Sequence, residues 1–340
     1  MADLIIMSSE ATQEEVDKVI EKIKGMGFGV HISKGTEKTI IGIIGDTRGI
    51  SDEVFKIMPG VADVISILRD YKLASREFHP EDTIIEVDGI KIGEGTITII
   101  AGPCSIESKQ QLLNTAKFIK EKGAHILRGG AYKPRTSPYS FLGLGKKGLE
   151  ILKEVKEEVK IPVITEVLST GEIDEVAEVA DILQIGARNM YNYRLLQKVG
   201  EMDKPVLLKR AFSAKIKEFL NCAEYILKEG NRKVILCERG IRTFDSDFTR
   251  NTLDLSAIPV LKKETHLPVI VDPSHGTGRK DMTIPMSKAA IAAGADGIMI
   301  EVHPKPEEAL SDGFQSLNFN SFDTLIEEIS PIIKVTGKKI

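Results

Sequence analysis

Residues 97–128 read ITIIAGPCSIESKQQLLNTAKFIKEKGAHILR. The stretch opens on an apolar run, Ile97–Ala101, passes through an amphipathic helical segment and returns to a second apolar run, Ala124–Arg128. Short apolar runs separated by amphipathic helical stretches mark consecutive βα units. The alternation recurs at Val163–Glu166, Ile182–Ile185, Val206–Lys209, Val234–Glu238, Val269–Asp272 and Gly297–Glu301. Eight runs, spaced by about 29 residues over roughly 250, favour a closed (β/α)8 barrel, the TIM barrel, over a doubly wound open sheet. Residues 95–340 are assigned to it.

Upstream the pattern is different. Leu4–Ser8 is strand-like, and Thr12 with Glu15 has the spacing of a capping box. The helix it opens places Val16, Val19, Ile20 and Ile23 on one face. Val30–Ser33 and Thr39–Ile44 read as strands, a short helix is placed near Asp52–Ile57, and Asp63–Leu68 reads as a last strand. This βαββαβ order predicts a small ferredoxin-like α+β domain over residues 1–72. Residues 73–94 are read as a linker followed by a barrel-closing hairpin, Thr83–Val87 and Ile90–Ile92, turned at Asp88-Gly89.

The chain has 340 residues, 42% hydrophobic and 28% charged, which excludes a disordered or fibrous protein. Lys+Arg 46 against Asp+Glu 50 leaves −4, arguing against a globally basic nucleic-acid binder. Three cysteines, Cys104, Cys222 and Cys237, are too few and scattered for a disulfide framework. The start, MADLIIMSSE, lacks the basic segment of a signal peptide. No run approaches the roughly 18 apolar residues of a membrane span. The expectation is a soluble cytoplasmic protein with no nucleic-acid or membrane partner.

In such barrels chemistry gathers at the C-terminal strand ends. Here Arg128, Lys133, Arg135, Arg188, Lys209, Arg210, Arg239, Arg242 and Arg279 are expected to converge on one mouth. That many like charges repel unless anions sit among them, and guanidinium groups grip phosphate and carboxylate in bidentate fashion. Ion pairs with Glu166, Glu238 and Asp272 account for two or three of the nine; the rest suggest more than one phosphate. Cys104, His275 and Glu301 follow the first, seventh and eighth runs, which are neighbours around a closed barrel, and Asp312 lies just beyond the eighth. A mixed soft and hard donor set of this kind suits a divalent transition metal with room for a substrate oxygen. Cys222 and Cys237 read as packing.

Together, Ala101-Gly102-Pro103-Cys104-Ser105, Gly129-Gly130-Ala131-Tyr132-Lys133-Pro134-Arg135-Thr136-Ser137, Ile185-Gly186-Ala187-Arg188-Asn189, Leu208-Lys209-Arg210, Cys237-Glu238-Arg239-Gly240, Asp272-Pro273-Ser274-His275 and Glu301-Val302-His303-Pro304 resemble 3-deoxy-D-arabino-heptulosonate 7-phosphate (DAHP) synthase. The match spans the barrel and looks like the type I-beta subgroup, which carries an N-terminal ferredoxin-like regulatory domain. The resemblance implies the first step of the shikimate pathway of aromatic amino acid biosynthesis, phosphoenolpyruvate plus erythrose 4-phosphate plus water giving DAHP and phosphate. By similarity, Arg128, Lys133, Arg188, Lys209 and Arg239 bind phosphoenolpyruvate. Arg135, Thr136 and Ser137 look like the erythrose 4-phosphate clamp. A divalent metal (Mn, Fe, Co, Zn or Cd) would sit on Cys104, His275, Glu301 and Asp312. Lys133 is read as a proton donor, and Glu166 as the residue that positions the water. His31 and Ser33, in His31-Ile32-Ser33-Lys34-Gly35, resemble an allosteric site for tyrosine or phenylalanine in a homotetramer. Two other reactions compete with this one, 3-deoxy-D-manno-octulosonate 8-phosphate synthesis and a metal-dependent sugar-phosphate aldol cleavage.

Overall fold

Thr12 opens the first helix, Gln13–Gly25, through the reciprocal bonds its spacing predicts. Its hydroxyl accepts from the Glu15 amide at 3.3 Å, and the Glu15 carboxylate accepts from the Thr12 amide at 2.8 Å. The computed structural model describes residues 2–35, 38–45, 47, 50–65, 70–93, 95–135, 137–245 and 247–340. The helix buries Val16, Val19 and Ile23 against a sheet of β1 (Leu4–Met7), β2 (Gly29–Lys34), β3 (Thr39–Ile44) and β4 (Val61–Ile65). The sheet order is β2-β3-β1-β4, all antiparallel, which is the ferredoxin-like arrangement. Residues 66–68 of the expected last strand lie outside the described residues.

The chain divides after Glu81, into Met1–Glu81 and Asp82–Ile340, within the segment 73–94 read as linker and hairpin. Phe78 supplies the reason within the first unit. Its ring lies where a Cβ on Gly42 would stand, 1.9 Å away, so only glycine fits there. The same ring stacks on His31 at 4.9 Å.

The second unit begins with a hairpin, β5 (Ile85–Val87) and β6 (Ile90–Ile92), turned by Asp88 and Gly89, both at positive φ. Eight parallel strands follow: β7 (Thr98–Gly102), β8 (Ile126–Arg128), β9 (Val163–Glu166), β10 (Ile182–Ile185), β11 (Val206–Lys209), β12 (Val234–Glu238), β13 (Val269–Val271) and β14 (Gly297–Glu301). They close in sequence order, with β14 pairing back to β7, and helices pack between successive strands. This is a (β/α)8 barrel. The helix Lys146–Val159 is representative of the outer ring, burying Leu149, Leu152, Val155 and Val159 at helical spacing. No helix among the described residues is long and apolar enough to cross a membrane.

Strand alternation decides what fills the barrel. Ile100, Ile126, Ile164, Ile182, Leu207, Ile235, Cys237, Ile270 and Met299 form its inner core, and Ile85, Val87 and Ile92 of the hairpin pack into the same cluster. Two residues beyond most of these positions, the next inward side chain is polar or charged: Arg128, Glu166, Gln184, Lys209, Arg239, Asp272 and Glu301. The interior is therefore dry below and ionic at the C-terminal end.

Candidate active site

The ionic end opens into a cavity of about 300 Å³. At one side, the ligand atoms of Cys104, His275, Glu301 and Asp312 all lie within 4.8 Å of one another. The adjacency of β13, β14 and β7 brings the first three together. Asp312 arrives on a loop in which its own backbone is left-handed, φ 52°. Its Oδ2 lies 3.2 Å from Cys104 Sγ, and His275 Nε2 lies 3.2 Å from Glu301 Oε1.

Each member is held from behind. His275 Nδ1 meets Asp272 Oδ2 at 2.7 Å, turning Nε2 toward the cluster in the carboxylate–histidine arrangement typical of metal sites. Glu301 accepts from Arg128 at 2.6 Å and from the buried Gln315 amide. Asp312 Oδ1 accepts from Arg250 at 3.1 Å. Burial opposes ionisation of Glu301 and Asp312, but His275 with Arg128, and His275 with Arg250, outweigh it and hold both carboxyls below their usual range. Burial, with the Glu301 charge beside it, pushes the Cys104 thiol up to about 12. Both carboxyls thus favour their metal-ready form, and the thiol must lose a proton to join them. The donor chemistry and convergence fit a divalent ion.

The cavity lining includes Arg128, Lys133, Arg135, Arg188, Lys209, Arg239 and Arg242, with Glu166 among them. Lys133 Nζ donates to the Cys104 carbonyl at 3.1 Å, beside the cluster. Lys209 Nζ is bonded to Asp272 at 2.5 Å. Glu166 accepts from Gln184 at 3.4 Å, and its carboxylate occupies the space a Cβ on Gly186 would need, 1.9 Å away. Arg135 donates to the Phe141 carbonyl and the Ser311 hydroxyl. Ser137 is exposed and outside the lining, its hydroxyl accepting from the Tyr139 amide. Thr136 lies outside the described residues. His31 and Ser33 stand in the first unit on β2, paired across the sheet with Gly42 and Ile40.

Two of the nine expected cations do not reach the mouth. Arg210 follows Lys209 by one residue, so alternation sends it outward. There it pairs with Glu238 and Asp254, both at 2.8 Å. Arg279 lies beyond the short helix Pro273–Thr277 and pairs with Asp281 at 2.6 Å. Conversely, Arg250, Asn251, Phe212 and Gln184 line the cavity although none was singled out from sequence. Gln184 had a signal, a polar residue inside the apolar run Ile182–Ile185. Arg250 had none, standing 12 residues past the end of β12.

Comparison with known proteins agrees with this architecture. The DAHP synthetase I family matches residues 79–335, and the DAHP synthase ferredoxin-like domain matches residues 4–69. The chain is 54% identical over 337 residues to the phospho-2-dehydro-3-deoxyheptonate aldolase of Thermotoga maritima, covering 99% of both chains. The crystal structure of the DAHP synthase from that organism superposes with a TM-score of 0.79 at 54% identity, over 99% of each chain. A truncated form of the same enzyme covers 79% of this chain and 99% of its own, with a TM-score of 0.75 at 55% identity. The 2-dehydro-3-deoxyphosphooctonate aldolase of Nitrosococcus oceani is 33% identical over 271 residues, 74% of this chain and 95% of that one.

Proposed function

The chain belongs to the DAHP synthetase I family, and from that premise we propose that it condenses phosphoenolpyruvate with erythrose 4-phosphate and water, giving DAHP and inorganic phosphate. One observation carries the reading: a cavity lined by cations from several strand ends, with a Cys/His/Glu/Asp cluster at its edge. Two phosphorylated substrates need that many cations; a single sugar phosphate does not.

Arg188, Lys209 and Arg239 hold the phosphate and carboxylate of phosphoenolpyruvate, with Arg128 and Lys133 at its reacting end. Arg135, with its sequence neighbours Thr136 and Ser137, takes the phosphate of erythrose 4-phosphate. Carbon 3 of phosphoenolpyruvate bonds to the aldehyde carbon. Lys133 gives a proton to the aldehyde oxygen, and Glu166 places the water that adds at carbon 2. The resulting phosphohemiketal releases inorganic phosphate. Holding two polyanions in register is a proximity task worth about 7–11 kcal/mol. Cys104, His275, Glu301 and Asp312 would hold a divalent ion (Mn, Fe, Co, Zn or Cd), which when bound supplies Lewis acidity toward the aldehyde oxygen. Tyrosine or phenylalanine, bound near His31 and Ser33 in a homotetramer, is the proposed feedback inhibitor.

The test is phosphate release from phosphoenolpyruvate with erythrose 4-phosphate and, in parallel, with arabinose 5-phosphate, after chelation and again with added Mn²⁺. Metal-restored turnover with erythrose 4-phosphate alone is expected. Turnover mainly with arabinose 5-phosphate would move the assignment to the octulosonate reaction, and no phosphate release would move it to an aldolase.

A further inference from the structure

Among the described residues that line the cavity, Phe212 supplies the one phenyl ring. It follows Lys209-Arg210-Ala211 at the end of β11, between the ends of β10 and β12. Three guanidinium carbons stand over this ring: Arg239 at 4.7 Å, Arg242 at 4.9 Å and Arg188 at 5.6 Å from its centroid. Arg188 comes from the β10 side, and the other two come from the β12 side. The ring is tied to both neighbours through its backbone. The Phe212 carbonyl accepts from the Arg242 amide at 2.6 Å, and the Ala211 amide donates to Met190 Sδ at 3.1 Å.

Among the described residues no carboxylate pairs with these three arginines. The hydrogen bonds of Arg239 go to the carbonyls of Gly240 and His275, while the nearby acids are engaged elsewhere, Asp272 with Lys209 and His275, Glu238 with Arg210. An aromatic face attracts cations without neutralising them. It therefore offsets part of the repulsion among three like charges without placing a competing negative charge beside the N–H groups that would meet an anion. A carboxylate in the same place would hold the arginines equally well but would also repel the substrate.

We infer that Phe212 is a positioning residue, the platform that holds Arg188, Arg239 and Arg242 ready for the phosphate of phosphoenolpyruvate. The inference deepens the reading of the preceding subsection and rests on it for the identity of the substrate.

The experiment measures binding of phosphoenolpyruvate and of inorganic phosphate to the chelated full-length chain by calorimetry, with KM for both substrates from the metal-loaded enzyme. Phe212→Leu keeps the apolar bulk and removes the π face; Phe212→Tyr keeps both. Phe212→Leu is expected to bind both anions about tenfold more weakly and to raise KM for phosphoenolpyruvate, with KM for erythrose 4-phosphate within about twofold of wild type. Phe212→Tyr is expected to stay within about threefold of wild type. Wild-type affinity in Phe212→Leu, or equal weakening in both variants, overturns the platform. If the wild type binds phosphate but not phosphoenolpyruvate, and Phe212→Leu weakens phosphate alone, the substrate reading falls and the platform stands. Binding of neither anion by the wild type overturns both.

Discussion

Asp272→Asn tests the hub on which cation set and metal cluster meet. Asp272 is fully buried and accepts three hydrogen bonds: from Lys209 Nζ at 2.5 Å, from His275 Nδ1 at 2.7 Å and from the His275 amide at 2.9 Å. Asparagine is nearly the same size and caps a helix as well, so the bond to the His275 amide survives. Its neutral amide cannot serve two further donors. Lys209 is then left in a buried site without its counter-ion, which costs about 3–5 kcal/mol. A change of that size lowers the melting temperature by roughly 6–20 °C. His275 also loses the carboxylate that fixes its ring, and loss of such a partner typically weakens metal binding by about 10–100-fold. Two assays follow, thermal denaturation of the chelated protein and competition for Mn²⁺ or Co²⁺ against a chromophoric chelator. A melting temperature within about 2 °C of wild type, together with unchanged metal affinity, would refute the reasoning, because it would mean that neither bond is made.

Because the Cys104 thiol is protonated at neutral pH, its pKa pushed up to about 12 by burial, metal loading should release about one proton. Calorimetry in buffers of different ionisation enthalpy reads this directly, and Cys104→Ala should release none. Residues 82–340, produced alone, should fold and turn over but escape inhibition by tyrosine or phenylalanine; inhibition that persists in the fragment would place the effector site elsewhere. Lys133→Met and Glu166→Gln should each lower kcat by about 10²–10⁴-fold, the range for loss of a positioned proton-transfer group. An unchanged kcat in either variant removes that residue from the chemistry.

Both architectures were legible before any coordinates, because each rests on periodicity. The eight runs and the capping box at Thr12 are local signals, and the barrel and first helix realise them. What local patterns could not show comes mainly from contacts between residues distant along the chain. Phe78 belongs to the first unit because its ring fills the space left by Gly42, 36 residues earlier, a relation no local pattern encodes. Arg250, without a signal in the sequence, reaches the cavity from beyond β12 and pairs there with Asp312, 62 residues later, whereas Arg279 pairs with its near neighbour Asp281. Arg210 differs: it directly follows Lys209 at the end of β11, and consecutive side chains in extended backbone cannot both face inward.

By itself, then, the sequence determined most of the charged residues that stand at the strand ends and at which end of the barrel they collect. Strand period and the position of charge relative to each apolar run are properties of short segments. Only the tertiary structure decided which charges face one another: that Asp272 joins Lys209 to His275, that Arg128 and Gln315 both grip Glu301, and that one phenyl ring lies beneath three arginines. These contacts depend on closing β14 onto β7 and on the paths of loops from different strands. Coulomb and π interactions act through a few ångströms of space, whatever the separation along the chain.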